Sequence, residues 1–517
     1  MSVPERTSTS WLDISISRWA LPNIETLLAV LILLLALVSR FDQLGARAMS
    51  HDEINHVVPA FDYSQGRGYA YSPMTHGPLQ FHLIALSYFL MGDNDFSSRV
   101  PAALFSVATV VVGLFAFRRY LGRVGALAAG LMFLISPYML FYGRYARNEA
   151  FIVLWGLLTI YAILRYLERG ERGALFLFTA VNALHFTDKA TAYIFAAEEL
   201  LFLGGYFFYQ VWRGRWSRTR EYRRFLLGLL AAVLAWMVGG GLYLFNTGQA
   251  VWLTGLAAAL GILGLAGIGF AALALVRGLG WNELRRNRAL DLILLLTSLI
   301  LPLLAALPVK LAGFDPLDYS QAGIVRGAIA LAVMLAPAIA LGMVWRWREW
   351  PLHAGLFYAI YVVLFTSIFS NPEGLAVGLF GALGYWMEQQ GVQRGTQPLY
   401  YYLLLQVPLY EFLPAAGTLL AAVIGLRRKL WEARPGEPFQ RAEITGGVGS
   451  SSDSAGEDDV KAAVPENSLQ PVPTLALLLF WSLSSLATFS IAGERMPWLT
   501  IHIAMPLILS AGWAVGF

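Results

Sequence analysis

The chain has 517 residues, 57% of them hydrophobic and only 14% charged, with a net charge of +4 and no cysteine. A soluble globular chain carries about 25% charged residues, so the composition excludes that class and points to an all-α polytopic membrane protein; the absence of cysteine excludes disulfides, thiolate nucleophiles and Cys-type zinc sites. The basic balance, with a pI near 9.1, would suit a nucleic-acid partner, but the basic residues sit in short loops between apolar runs, where membrane topology accounts for them and no nucleic-acid partner is expected.

A span needs about 20 apolar residues, and about 13–14 runs qualify. In chain order they are 22–40, 98–117, 124–141, 149–165, 174–188, 191–211, 225–245, 251–276, 289–308, 322–344, 352–370, 409–426, 472–491 and 498–516. The first is expected to act as a signal anchor, because SRFDQLGARA is a poor cleavage site and further spans follow. With a cytoplasmic N-terminus, the inside loops collect Arg118, Arg119 and Arg123, then Arg165, Arg169 and Arg172, then WRGRWSRTREYRR, Arg277 to Arg288, Arg346, Arg348 and the RRK at 427–429. That asymmetry sets the orientation.

Two outer segments are long, 41–97 and about 371–408. Within the first, GPLQFHLIALSYFLMG is too short to span and is expected as a helix in the interface. The 432–470 stretch, with its GGVGSSSDSAGEDDV core, is Gly/Ser-rich, acidic and free of aromatics there, as a disordered cytoplasmic linker would be. The expected organisation is a transmembrane domain over 1–431, the linker 432–470, and C-terminal transmembrane helices over 471–517.

Ionisable residues gather on the outer side. Every histidine but His353 falls there, with Asp52 and Glu53, Arg144, Arg147 and Glu149, Asp188 and Lys189, and Glu494 and Arg495. Loops are polar in any case, but a turn as short as YGRYARNEA has no need of two arginines and a glutamate, and ionisable groups at a bilayer edge are costly unless paired or used. HDEINH superficially resembles a zinc-protease motif. Its His51 and His56 are five positions apart, about 500° around a helix, so they do not share a face. Glu53 and His56, three apart, could share a metal, although a hydrogen-bonded pair is the plainer reading. Asp52 suits a general base.

Arg144 and Arg147 stand a helical turn apart at the start of a span, where guanidinium forks and helix N–H groups both suit phosphate oxygens. Lys189 adds another cation at the same boundary; simple headgroup anchoring is the competing explanation for all three. Glu198 and Glu199 lie inside a span with no assigned role. Trp386 and Tyr400 to Tyr402 read as interfacial aromatics, with stacking on a sugar as the alternative.

The strings SHDE, HGPLQFH, YGRYARNE, TDKATAYIF, NPEGL, GYWMEQQGVQRGTQPLYYYLLLQVPLYEFLP and GERMPWLTIH resemble those of the GT-C glycosyltransferases. Within that superfamily the chain is similar to the family 39-like group of protein O-mannosyltransferases and aminoarabinose transferases, and above all to prokaryotic flippase-activity-associated membrane proteins. The resemblance covers essentially all the spans. It implies a GT-C fold with interfacial helices in the first outer loop, and inverting transfer from a polyprenyl-phosphate-linked sugar to a protein or lipid-glycan acceptor at the outer face of the cytoplasmic membrane. On that resemblance Asp52 is the general base and Glu53 orients the acceptor or Asp52. Arg144, Arg147, Glu149, Lys189, His76, Glu494 and Arg495 are the expected substrate and lipid-phosphate contacts. A divalent metal is left open, with His51, His56 and Glu53 as candidate ligands. The rival functions are a lipid-linked glycan flippase or transporter, for which neither repeat symmetry nor paired broken helices is seen, and a non-catalytic scaffold.

Overall fold

The computed structural model describes residues 23–214, 216–245, 251–389, 396–433 and 470–517. Most of the expected 432–470 linker lies outside the described residues. Among the described residues the regular structure is helical, with no strand beyond isolated bridges such as Ala433 to Val472, so the all-α expectation holds.

The first part of the chain forms α1 (Ile24–Phe41), α2 (His51–Ser64), α3 (Leu79–Met91), α4 (Asp95–Phe115), α5 (Arg118–Ile135), α6 (Pro137–Tyr142), α7 (Glu149–Arg169), α8 (Arg172–Phe186) and α9 (Ala192–Arg213). There follow α10 (Thr219–Phe245), α11 (Val251–Leu279), α12 (Trp281–Leu284), α13 (Arg288–Ile300), α14 (Ala306–Leu311), α15 (Gln321–Arg346) and α16 (Trp350–Phe365). The last part contains α17 (Glu373–Ala376), α18 (Ala382–Gln389), α19 (Val407–Tyr410), α20 (Phe412–Arg428), α21 (Thr474–Ile491) and α22 (Thr500–Gly516).

Every expected span coincides with helix. Among the described residues, eight helices are long and apolar enough to cross a membrane by themselves: α1, α4, α7, α10, α11, α15, α21 and the stretch Pro497–Gly516 that contains α22. Of the others, α9 is a continuous 22-residue helix that carries Glu198 and Glu199 within it, and the rest are shorter or interrupted. Helix α5 opens on Arg118, Arg119 and Arg123 and kinks at Gly122, whose φ of 74° only glycine adopts at low cost. The 289–308 run is divided by a 3₁₀ turn at Leu301–Leu304 that contains Pro302. The 409–426 run belongs to a pair, Tyr401–Tyr410 and Phe412–Arg428, bent by 108° at Glu411.

The chain divides into two compact units, residues up to Phe202 together with Leu295–Phe517, and Leu203–Leu294. In the smaller unit, α10 and α11 pack side by side at Gly228 and Gly267, where an added Cβ on either would come within 2.9 Å of the other's carbonyl oxygen. In the larger unit, α5 crosses the C-terminal helix α22 in the same manner. A Cβ at Gly125 would stand 2.4 Å from the Gly512 carbonyl, so the two backbones meet with no side chain between them. This is how membrane helices gain van der Waals contact when lipid offers no hydrophobic drive.

Two arginines finish helices in this unit. Arg40, fully buried, donates to the carbonyls of Phe133 and Leu134 at 2.8 Å and to Ser106 Oγ at 3.2 Å. Those carbonyls lie in the last turn of α5, where no intrahelical N–H is available and the helix dipole is negative. Arg144 does the same for α1, donating to the carbonyls of Ser39 at 2.5 Å and Asp42 at 2.6 Å. Arg40→Met should leave the α5 carbonyls unsatisfied and cost roughly 2–4 kcal/mol. A lowered melting temperature of the detergent-purified protein is the expected result, measured against a lipid-facing control such as Leu34→Ala.

Candidate functional site

The site is built on the N-terminus of α2. Ser50 caps the helix: its Oγ accepts from the Glu53 N–H at 3.3 Å while Glu53 Oε2 accepts from the Ser50 N–H at 3.1 Å, a reciprocal capping box. Ser50 Oγ also hydrogen-bonds Tyr145 Oη. Glu53 is fully buried and receives Arg99 Nε at 2.7 Å and Nη2 at 3.0 Å, Arg47 Nη2 at 2.9 Å and the Ala146 N–H at 3.1 Å. Burial raises its pKa, but the Arg99 guanidinium and the Ser50 and Ala146 amides outweigh burial and hold the carboxyl below its usual range. Arg99 also donates to the carbonyls of Leu44 at 3.0 Å and Arg47 at 2.8 Å, tying down the loop before α2.

One position earlier on the same helix, Asp52 points elsewhere. Its Oδ2 accepts from Arg147 Nη1 at 2.8 Å, and its side chain is 39% exposed. Arg147 Nε lies 3.5 Å from Glu149 Oε2, and Lys189 Nζ donates to Glu149 Oε1 at 2.7 Å. Glu149 has no exposed surface, and the side chains of Arg147 and Lys189 are nearly buried. The four groups form an alternating chain, Asp52–Arg147–Glu149–Lys189, whose only open end is Asp52. Beside it, Asn148 Nδ2 donates to Asp188 Oδ1 at 2.7 Å and to the Asp188 carbonyl at 2.9 Å. The α2–α3 connection closes over this corner. The Gly77 N–H donates to the Asp188 carbonyl at 2.7 Å, and a Cβ on Gly77 would come 2.2 Å from the Thr187 oxygen, so that contact requires glycine.

His56 lies beneath Asp52. Its Nδ1 donates to the Asp52 carbonyl at 2.8 Å, because a carbonyl can only accept, and this leaves Nε2 as the acceptor nitrogen. Its ring stacks on Phe81, and the His76 ring is 6.0 Å away. Burial pushes its pKa down to about 4, the Asp52 carbonyl opposing and the Arg147 charge assisting. His76, half-buried, has a left-handed backbone with φ 70°.

The expected residues thus separate. Asp52, Arg147, Glu149 and Lys189 come together, with His76 close by. Arg144 is occupied with the end of α1 and does not reach the chain of charges. Both arginines lie in the turn just before α7, which begins at Glu149, the expected start of that span. Tertiary bonds hold that turn open, the Ala146 amide going to Glu53 and the Asn148 side chain to Asp188. Arg495 donates to the carbonyls of Ser490 at 2.8 Å and Gln397 at 2.7 Å, and Glu494 beside it is half-buried. Of the metal candidates, His51 is exposed while Glu53 is engaged by Arg99, so the three do not converge. Among the described residues no group of three or more His, Cys, Asp or Glu is disposed to hold a metal ion. Glu198 and Glu199 turn to different neighbours, Ser485 at 3.0 Å and Asn182 at 3.3 Å. Arg99, Asn148 and Trp498 were not singled out from sequence. Arg99 carries a signal of the kind used for the others, a charge just inside the apolar run 98–117, and Trp498 carries none.

If Glu53 is structural and Asp52 is not, their amide variants should differ in stability. Glu53→Gln leaves Arg99 buried beside a neutral partner and is expected to cost about 3–5 kcal/mol. Asp52→Asn, at a partly open pair, should cost under about 1 kcal/mol. Thermal unfolding of the two purified variants measures this; equal loss would contradict the division.

No curated protein matches the sequence. Residues 75–238 match the family model described as dolichyl-phosphate-mannose-protein mannosyltransferase. The chain is similar to the oligosaccharyltransferase AglB of Archaeoglobus fulgidus, solved with an inhibitory peptide and a dolichol-phosphate, at 11% identity and a TM-score of 0.46 over 95% of this chain and 50% of that one. The apo form of the Archaeoglobus fulgidus enzyme gives 12% identity and a TM-score of 0.47, covering 96% of this chain and 51% of that one. ArnT of Cupriavidus metallidurans, bound to undecaprenyl phosphate, gives 16% identity and a TM-score of 0.32, covering 95% of this chain and 77% of that one. The chain therefore spans about half the length of the archaeal oligosaccharyltransferases it matches. The mannosyltransferase match runs from Thr75 in the α2–α3 connection to Val238 in α10.

Proposed function

We propose that the protein is a membrane glycosyltransferase that moves a sugar from a polyprenyl-phosphate carrier to a protein or lipid-glycan acceptor at the outer face of the cytoplasmic membrane, with inversion. The observation that carries this reading is the chain of charges Asp52–Arg147–Glu149–Lys189, buried everywhere except at Asp52. The mannosyltransferase match over 75–238, which contains Arg147, Glu149 and Lys189, supports it.

The chemistry follows from the pairing. The acceptor heteroatom attacks the anomeric carbon, the bond from that carbon to the phosphate oxygen breaks, and its electron pair leaves with the polyprenyl phosphate. Asp52 takes the acceptor proton. Before substrate arrives, Asp52 is held by Arg147. A donor phosphate that takes the Arg147 guanidinium frees the carboxylate, so arrival of the donor would also release the base. Glu149, itself held by Lys189, fixes Arg147, and burial places the guanidinium in a low-dielectric surround where its charge is strongly felt by a developing phosphate anion. Glu53 acts on Asp52 only through the helix both belong to.

Asp52→Asn in purified protein, supplied with a polyprenyl-phosphate sugar and acceptor, should lower transfer by about 10²–10⁴-fold; transfer at the wild-type level would sink the general-base role. Wild-type protein that moves the lipid-linked sugar across a vesicle membrane without transferring it would favour the flippase reading instead. Arg147→Ala should weaken donor binding by roughly tenfold or more, the order of a charge-assisted phosphate contact, and leave acceptor binding little changed. Isothermal titration of each substrate checks this, and equal effects on both would remove Arg147 from the phosphate site.

A further inference from the structure

We infer that Trp498, from a segment far along the chain, is a positioning residue that sets the plane of the Arg147 guanidinium for donor phosphate; the inference rests on the transferase reading above. Arg147 Cζ lies 4.1 Å from the centroid of the Trp498 ring. The guanidinium is therefore held on two edges and one face. Nη1 meets Asp52, Nε faces Glu149, and the indole covers one side of the plane. Arginine binds phosphate as a planar fork, so affinity depends on that plane as well as on charge. The two carboxylates define directions within the plane. The indole, lying over the face, resists rotation out of it.

Trp498 is itself fixed. It lies in the 3₁₀ turn Pro497–Leu499 that leads into α22, with Pro497 at the first position. The residues before it are tied to the 396–406 strap: Tyr402 Oη donates to the Met496 carbonyl at 2.9 Å, and Arg495 Nη1 donates to the Gln397 carbonyl at 2.7 Å. Trp498 packs against the apolar cluster that contains Tyr402, Phe489 and Leu499. Headgroup anchoring, the ordinary use of a tryptophan at such a depth, needs none of this and would not set an indole over a nearly buried guanidinium. Arg495, expected from the sequence to touch substrate, instead helps to hold the turn that carries Trp498.

The test compares Trp498→Met, which keeps apolar bulk without a ring, with Trp498→Tyr, which keeps a ring, each in the full-length protein with and without Arg147→Ala. Binding of undecaprenyl phosphate alone is the readout, with melting temperature recorded alongside. Trp498→Met should weaken binding about tenfold, within the range for a desolvated cation–π contact. Trp498→Tyr should recover most of that loss, and neither change should matter once Arg147 is alanine. Wild-type binding by Trp498→Met, equal loss in both variants, or an undiminished loss in the Arg147→Ala background would each overturn the inference. Should Trp498→Met fail to fold, Trp498→Tyr and Trp498→Phe carry the comparison, and weakening in both as severe as that of Arg147→Ala itself would overturn it. Wild-type protein that binds the lipid phosphate but transfers no sugar would defeat the transferase reading and leave the Trp498 result standing. Wild-type protein that fails to bind it would defeat both.

Discussion

A carboxylate buried without compensation is among the most costly groups a fold can hold, and Glu53 is compensated from four directions. Arg99 reaches it from α4, Arg47 from the loop after α1, the Ser50 amide from the cap of α2 and the Ala146 amide from the turn before α7. Burying an ion pair is stabilising only when further hydrogen bonds satisfy its remaining lone pairs, and here those bonds come from the segments that must meet to form a site. The next residue back, Asp52, projects about 100° away around the helix. Its direction is a consequence of where Glu53 is held.

The arginines around this point share one chemistry and have three destinations. Arg40 and Arg144 close the carbonyl ends of α5 and α1, Arg99 neutralises Glu53, and Arg147 faces Asp52 and the open side. In a low-dielectric surround each guanidinium goes to the nearest acceptor set that can satisfy it. Helix ends supply such sets as readily as carboxylates do. A cation at a span boundary is therefore as well suited to a structural role as to a ligand.

The site draws on distant parts of the chain because helix ends, not helix middles, carry it. Asp52 is in the first turn of α2, Arg147 and Glu149 straddle the start of α7, Lys189 follows α8 and Trp498 precedes α22. Close backbone approach brings these ends together, as at Gly77 against Thr187 and at Gly125 against Gly512. Small residues at those crossings are thus as much a part of the site's geometry as the charged groups are, although they touch no substrate.

The sequence by itself determined the all-helical membrane architecture, the position of the apolar spans along the chain and the phase of HDEINH. Apolar run length and helical periodicity are local quantities, and no partner is needed to evaluate them. It also marked Asp52, Arg147, Glu149 and Lys189, since a charge that interrupts apolar sequence is visible wherever it ends up. Only the tertiary structure decided which charge met which. Glu53 and Asp52 are chain neighbours of the same type, yet one is enclosed by Arg99 and the other faces outward. Arg144 and Arg147 share a nine-residue string, yet one caps a helix and the other pairs with Asp52. Trp498 carried no signal in the sequence and came to rest on a guanidinium 351 positions earlier in the chain. Side-chain partners across such separations depend on helix crossings, and those are set by the packing of the whole bundle.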